Sequence, residues 1–235
     1  VVPIKRSLSD ALVCVLLKSD GDRQILIAQI YILIVFCRQI RTMLEFNFTP
    51  FPVLETERLL LRQTTEADLD FLFKLRSDKE VMKYIDRPLA KNKDDILQMY
   101  QQMCKGVAEN EAIAWHIDTK EDRMPAGQIG FYRNDKVNHR GEVGYMISPE
   151  LAGKGLATEA IKEVLRFGFE VLKFHSIEGN INPGNGASGR VLEKQGFVKE
   201  AHFRENYHFD GKFLDSVIYS LLASDWRKAA AKEPQ

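Results

Sequence analysis

The chain has 235 residues, 45% hydrophobic and 28% charged, enough apolar material for one packed domain. Its 33 basic and 33 acidic side chains cancel, which excludes a global field steering nucleic acid or an anionic membrane, so neither is expected as a partner. Cys14, Cys37 and Cys104 lack metal-ligand or disulfide-framework spacing, so no metal is expected and a reducing cytoplasm is the expected setting.

Residues 1–42 stand apart. The chain begins Val1-Val2-Pro3, while Met43-Leu44-Glu45-Phe46 reads as a natural start. The apolar run over 25–37 would cover about 20 Å as a helix, short of the roughly 30 Å hydrocarbon core. No small-residue cleavage site follows it. Residues 1–42 are expected to be an extension without function or an accessory element, 43–228 a single domain, and 229–235 a flexible tail.

In chain order, Glu57–Arg62 reads as a strand, and Thr65-Glu66-Ala67-Asp68 opens a helix whose stripe is Leu69, Leu72, Phe73 and Leu75. A short helix over Asp78–Ile85 ends before Pro88, and Lys93–Val107 is a longer one. Three strands then form an antiparallel meander: Ala112–Ile117, Gly127–Tyr132 and Arg140–Ser148. A helix follows, with Ala157, Ala160, Ile161, Val164, Leu165, Gly168 and Leu172 at helical spacing, then a strand over Phe174–Ile181. A helix between two strands is a crossover, so that strand lies parallel to Arg140–Ser148. Gly186–Gln195 is the next helix, and Asp210-Gly211 turns a final hairpin.

The informative stretch is Pro149 to Ala160, a glycine-bearing turn from strand to helix. Glycines let backbone approach a ligand, and a helix start offers free N–H groups and partial positive charge, a geometry that binds phosphate. It is neither a P-loop nor a dinucleotide fingerprint, because Thr158 stands where the latter has its third glycine.

Glu150-x-x-Gly153-x-Gly155-x-Ala157-Thr158-Glu159-Ala160, following Gly144-Tyr145-Met146-Ile147-Ser148-Pro149, resembles the acetyl-CoA pyrophosphate loop of the GNAT N-acetyltransferases, in the RimJ/RimL-like branch. Asn182–Ser188 with Val191–Phe197, and Leu54–Arg62 as a first strand, are similar to two further blocks of that branch, in the same order. The resemblance covers about Val53 to Trp226. It implies an α/β fold with a mixed, mostly antiparallel central sheet, flanking helices and a parallel strand pair that splays apart to admit the pantetheine arm.

It also implies an N-acetyltransferase that uses acetyl-CoA as co-substrate and a primary amine as acceptor: a protein N-terminus or a small amine. A non-catalytic acetyl-CoA-binding module is the alternative, and either a monomer or a homodimer is compatible. The attacking amine must be neutral. Deprotonating a lysine at pH 7 costs roughly 4–5 kcal/mol, whereas an α-amine costs only about 1 kcal/mol.

Glu142 is the candidate base by its place in the strand motif, with Gly144 on the same face leaving room. A carboxylate is a weak base at neutral pH unless burial raises its basicity or a water relays the proton. Its structural alternative is an ion pair with a neighbour such as Arg140. Ser188 and Tyr145 are candidates to meet the leaving thiolate, Ser188 having a helix cap as its alternative role. Backbone N–H groups near Met146 and Ile147 would meet the oxyanion. The resemblance places cofactor binding on Met146, Ile147, Ser148, Leu151, Ala152, Gly153, Lys154, Gly155, Leu156, Ala157, Thr158, Asn185 and Ser188. Tyr84, Trp115 and His116 are candidates for the acceptor wall, each with a core role as its alternative.

Overall fold

The computed structural model describes residues 27, 29–32 and 43–231. Apart from that short helical stretch, the expectations for residues 1–42, and for the last four residues, fall outside the described part. The chain divides into two units, Val1–Met43 and Leu44–Gln235, and the second is considered below.

Its sheet has eight strands: β1 (Leu54–Glu55), β2 (Leu59–Gln63), β3 (Ile113–Thr119), β4 (Pro125–Asp135), β5 (Arg140–Ile147), β6 (Ser176–Ile181), β7 (Val198–Phe209) and β8 (Lys212–Leu222), in spatial order β1-β2-β3-β4-β5-β6-β8-β7. Every neighbouring pair is antiparallel except β5 and β6. The helices are α1 (Leu69–Ser77), α2 (Lys79–Met82), α3 (Lys93–Ala108), α4 (Leu156–Glu170), α5 (Gly186–Lys194) and α6 (Ala223–Ala230). Glu66–Asp68 and Pro149–Leu151 are single 3-10 turns.

Local signals account for many boundaries. Thr65 and Asp68 form a capping box before α1, and Asn92 and Asp95 form one at the start of α3. The Asp78 side chain accepts from the Glu80 and Val81 amides to cap α2. Asp210 and Gly211 both have positive φ, the turn that matches the twist of a hairpin. The expected tail is partly helix, since α6 extends through Ala230.

The core lies where α4 crosses the sheet. Ile161, Val164 and Leu165 are buried to 1% exposure or less, each contributing about 1.5–3 kcal/mol by its transfer from water. They meet a cluster that includes Trp115, Phe131 and Phe174 from the sheet side.

The feature that makes a site is the parallel pair. β5 and β6 stay in register only over Arg140↔Ser176, Gly141↔Ile177 and Glu142↔Glu178. Past Glu142, β5 continues against β4 and β6 against β8, so the two strands part and leave backbone of each facing a gap. No described helix is long and apolar enough to cross a membrane.

Candidate active site

A cleft of about 680 Å3 opens at this divergence. Glu142, Gly144, Tyr145 and Met146 of β5 form one wall, Gly179 to Ile181 of β6 another, and Asn185, Ser188 and Leu192 of α5 extend it. Tyr84, Asp86 and Arg87 close it from the segment after α2, with Tyr207 reaching in from β7.

Strand alternation decides which backbone donors face the gap. Ser148 N donates to Ala126 O at 2.8 Å, and the register runs on through Ile147↔Gly127 and Met146↔Gln128. Hydrogen-bonded pairs alternate in an antiparallel ladder, so the Met146 N–H turns to β4 while those of Tyr145 and Ile147 turn to the open edge. Of the two amides expected near the oxyanion, only that of Ile147 faces the gap.

Glu142 lines the cleft and is partly buried. Its neighbour is Arg133, whose Nη1 lies 3.3 Å from Glu142 Oε2; Arg140 instead meets Glu178 at 3.2 Å. Tyr132 is the extra residue at the bulge between Phe131 and Arg133, and its ring fills the room beside Gly144. The Tyr145 hydroxyl donates to Ser188 Oγ at 3.1 Å. Burial pushes the Tyr145 pKa up, against the opposing effect of Ser188, so the phenol keeps its proton. The helix cap belongs to Asn185, whose Oδ1 accepts from Ser188 N at 3.1 Å; the Ser188 hydroxyl is left for Tyr145.

The loop after β5 stands beyond the cleft. Gly153 and Gly155 have φ of +76° and +79°, a region that side-chain-bearing residues rarely adopt. Gly155 is the N-cap of α4, whose first-turn amides, from Leu156 onward, have no intrahelical acceptor. Ala152, Gly153, Lys154 and Gly155 are exposed. The loop is braced from β2's approach: Arg58 Nη1 donates to Lys154 O at 3.1 Å, and Arg58 Nε to Glu159 Oε2 at 2.7 Å. Burial works against ionisation of Glu159, yet hydrogen bonds from Thr56 and Arg58 outweigh it and hold the carboxyl below its usual range. Positive φ, exposed amides and a nearby basic side chain fit a pyrophosphate, while Ser148, buried before the turn, and Leu151 shape the loop.

Two candidates for the acceptor wall are corrected. Trp115 is wholly buried in the core, edge-on to Phe131 and Phe167, with Nε1 donating to Pro52 O at 2.7 Å. His116 is equally buried on the other face of β3, beside Phe71 and 3.2 Å from Asp118 Oδ1. There, Arg62 bridges Asp68 and Asp118. Neither residue lines the cleft, because β3 lies two strands from its open edge. Tyr84 does, with its ring against Gly184.

The cleft also gathers residues with no motif signal. Tyr207 donates to Asp86, whose carboxyl is pushed up by burial. Arg76, Arg87 and Arg133 line it as well.

A family model described as an acetyltransferase (GNAT) domain matches residues 58–198. The uncharacterised N-acetyltransferase YoaA of Bacillus subtilis is 34% identical over 172 residues, 73% of this chain and 97% of its own length. The ribosomal protein uS5-alanine N-acetyltransferase of Escherichia coli is 34% identical over 88 residues, 37% of this chain and 45% of that enzyme. A crystal structure of spermidine N-acetyltransferase from Vibrio cholerae, in complex with CoA and spermine, has a TM-score of 0.66 at 23% identity, covering 73% of this chain and 99% of that one.

Proposed function

This chain belongs to the GNAT family of N-acetyltransferases, and from that premise we propose that it transfers an acetyl group from acetyl-CoA to the α-amine at the N-terminus of a protein. The observation that carries the choice of acceptor is the charge of the cleft. Three arginines, Arg76, Arg87 and Arg133, line it with two carboxyls, Asp86 and Glu142. A polyamine carries several cations and is repelled by such a lining, whereas a peptide terminus brings one amine followed by carbonyls and side chains that accept hydrogen bonds. The relative that acts on ribosomal protein uS5 favours the same reading.

In this mechanism, the loop from Gly153 to Thr158 holds the pyrophosphate with its amides and with Lys154. The gap between β5 and β6 would admit the pantetheine arm, with the Tyr145 N–H on the open edge of β5 left to pair with it. Acetyl-CoA supplies an activated acyl thioester. Glu142 takes a proton from the incoming α-amine, directly or through a water, and the α-amine requires little help because its pKa is close to neutral. Ile147 N–H stabilises the developing oxyanion. The Tyr145 phenol, oriented by Ser188, donates to the departing thiolate, whose own pKa near that of free cysteine calls for only modest assistance. A chain beginning at Met43 should remain folded and active.

The test is acetyl-CoA-dependent thiol release against peptides with free Ser, Ala or Thr N-termini, polyamines and aminoglycosides, with product masses measured. A peptide that gains one acetyl group at its terminus supports the proposal. Turnover confined to polyamines or aminoglycosides overturns it.

A further inference from the structure

One cation at the cleft is poorly accommodated by the protein itself. Arg76, in the last turn of α1, lines the cleft, and its Nε is buried without a hydrogen-bond partner. Its Nη1 reaches only Met82 Sδ, at 3.9 Å. Burial, with a further contribution from the charge of Arg87, depresses its pKa, partly opposed by Tyr132. Arg87 is exposed on the same cleft. Among the described residues neither guanidinium is in an ion pair, whereas Arg133 is matched to Glu142. The nearby Asp86 carboxylate is engaged by the Tyr207 hydroxyl and makes no ion pair with either guanidinium among the described residues.

A half-buried cation with a buried, unbonded Nε and no ion-pair partner, beside a second cation, is costly, and the carbonyl end of α1 offers it only partial negative charge. An anion brought by a ligand removes that cost, and two guanidinium forks match the planar, two-oxygen geometry of a carboxylate. We propose that Arg76 and Arg87 form a carboxylate-recognition subsite at the acceptor end of the cleft. The preferred acceptors are then amines that carry a carboxylate close to the reacting nitrogen. This rests on the N-terminal-amine reading for its source, an acidic side chain within the first few residues of the acceptor. The α-carboxylate of a free amino acid offers the same chemistry.

The test uses matched pairs of acceptors: a Ser-initiated peptide with Glu at its second or third position against the same peptide with Gln, and free serine against serinamide. Each is assayed for thiol release and titrated calorimetrically into the CoA-loaded protein, so that one readout is independent of turnover. The carboxylate member of a pair should be favoured about tenfold or more in kcat/KM, mostly through KM, as for a charge-assisted pair made already in the ground state. Arg87→Gln, an exposed change, should cut that preference to about threefold or less, and Arg87→Glu should shift it to a Lys-bearing peptide. Arg76→Lys should weaken it while keeping a cation in the half-buried position.

Equal turnover and equal affinity for both members of every pair overturn the subsite while leaving the N-terminal reading intact. Preference for serine over serinamide with no peptide acetylated keeps the subsite and overturns the N-terminal reading. Preference for the amide members overturns the subsite.

Discussion

The Tyr145 hydroxyl and Ser188 Oγ meet at 3.1 Å, a hydrogen bond from the open edge of β5 to the first turn of α5. It joins two walls of the cleft, and it is available because Asn185 caps α5 and leaves the Ser188 hydroxyl free. Tyr145→Phe should therefore lower kcat by about 100-fold, the low end of the range for a positioned proton donor, because a thiolate leaving group calls for only modest assistance. Acetyl-CoA affinity should change by less than about twofold, because a transition-state contact is absent from ground-state binding. Ser188→Ala should have a smaller effect in the same direction. Burial raises the Tyr145 pKa, so the wild-type rate should show no alkaline decline from this group before about pH 10. Unchanged kcat in Tyr145→Phe removes the phenol from the reaction.

Glu142→Gln preserves shape and an acceptor for Arg133 Nη1, 3.3 Å away, but cannot take a proton. A loss of about 10²- to 10⁴-fold in kcat/KM across about pH 6 to 9 is expected, the range of general-base assistance. Wild-type turnover of this variant would falsify the assignment.

Gly153 has φ +76°, and a Cβ built there meets nothing within 4 Å. The defect in Gly153→Val is thus conformational, costing about 1–3 kcal/mol of loop strain. The loop should relax to another shape, raising the acetyl-CoA Kd about tenfold or more while the melting temperature changes by only a few degrees. An intact Kd, read by calorimetry, places the pyrophosphate elsewhere.

Trp115→Phe should act on stability and leave both KM values alone. The change empties part of a packed core and strands Pro52 O, which accepts from Trp115 Nε1 at 2.7 Å. A loss of about 2–4 kcal/mol is expected from the cavity and the unpaired carbonyl. A raised acceptor KM without loss of stability returns Trp115 to the acceptor wall.

His116 gives stability a pH dependence. Burial holds its pKa below the ordinary 6.5, although Asp68 and Asp118 pull the other way. Near and below pH 6.5 the unfolded chain binds the proton more readily than the folded one, so stability falls as pH drops from 6.5 toward the folded pKa. Denaturant midpoints should decline between about pH 7.5 and 5.5, and His116→Asn should flatten that decline. A wild-type midpoint that holds or rises over this interval contradicts the sign.

Much of the scaffold was legible before any coordinates. The stripe of Ile161, Val164 and Leu165 predicted α4, Asp210-Gly211 marked the hairpin, and the helix between two strands required a parallel pair. The short helix expected over Asp78–Ile85 is present as α2, trimmed to Lys79–Met82, whereas the division of the first strand into β1 and β2 escaped, because a two-residue element holds too little periodic pattern. Trp115 and His116 were misread as acceptor contacts for a different reason. Alternation tells which residues share a face, but not that β3 lies inside the sheet with both faces covered.

The sequence alone determined the order of elements, the crossover and the glycine turn at 153–155, because capping, periodicity and positive-φ turns depend on residues a few positions apart. Only the tertiary structure decided which amide of β5 faces the gap, that Asn185 frees the Ser188 hydroxyl for Tyr145, and that Arg76, Arg87 and Arg133 share a cleft with Glu142. These relations join segments dozens of residues apart. The divergence of β5 from β6 brings them together, and no local spacing encodes their distance or the charge they sum to.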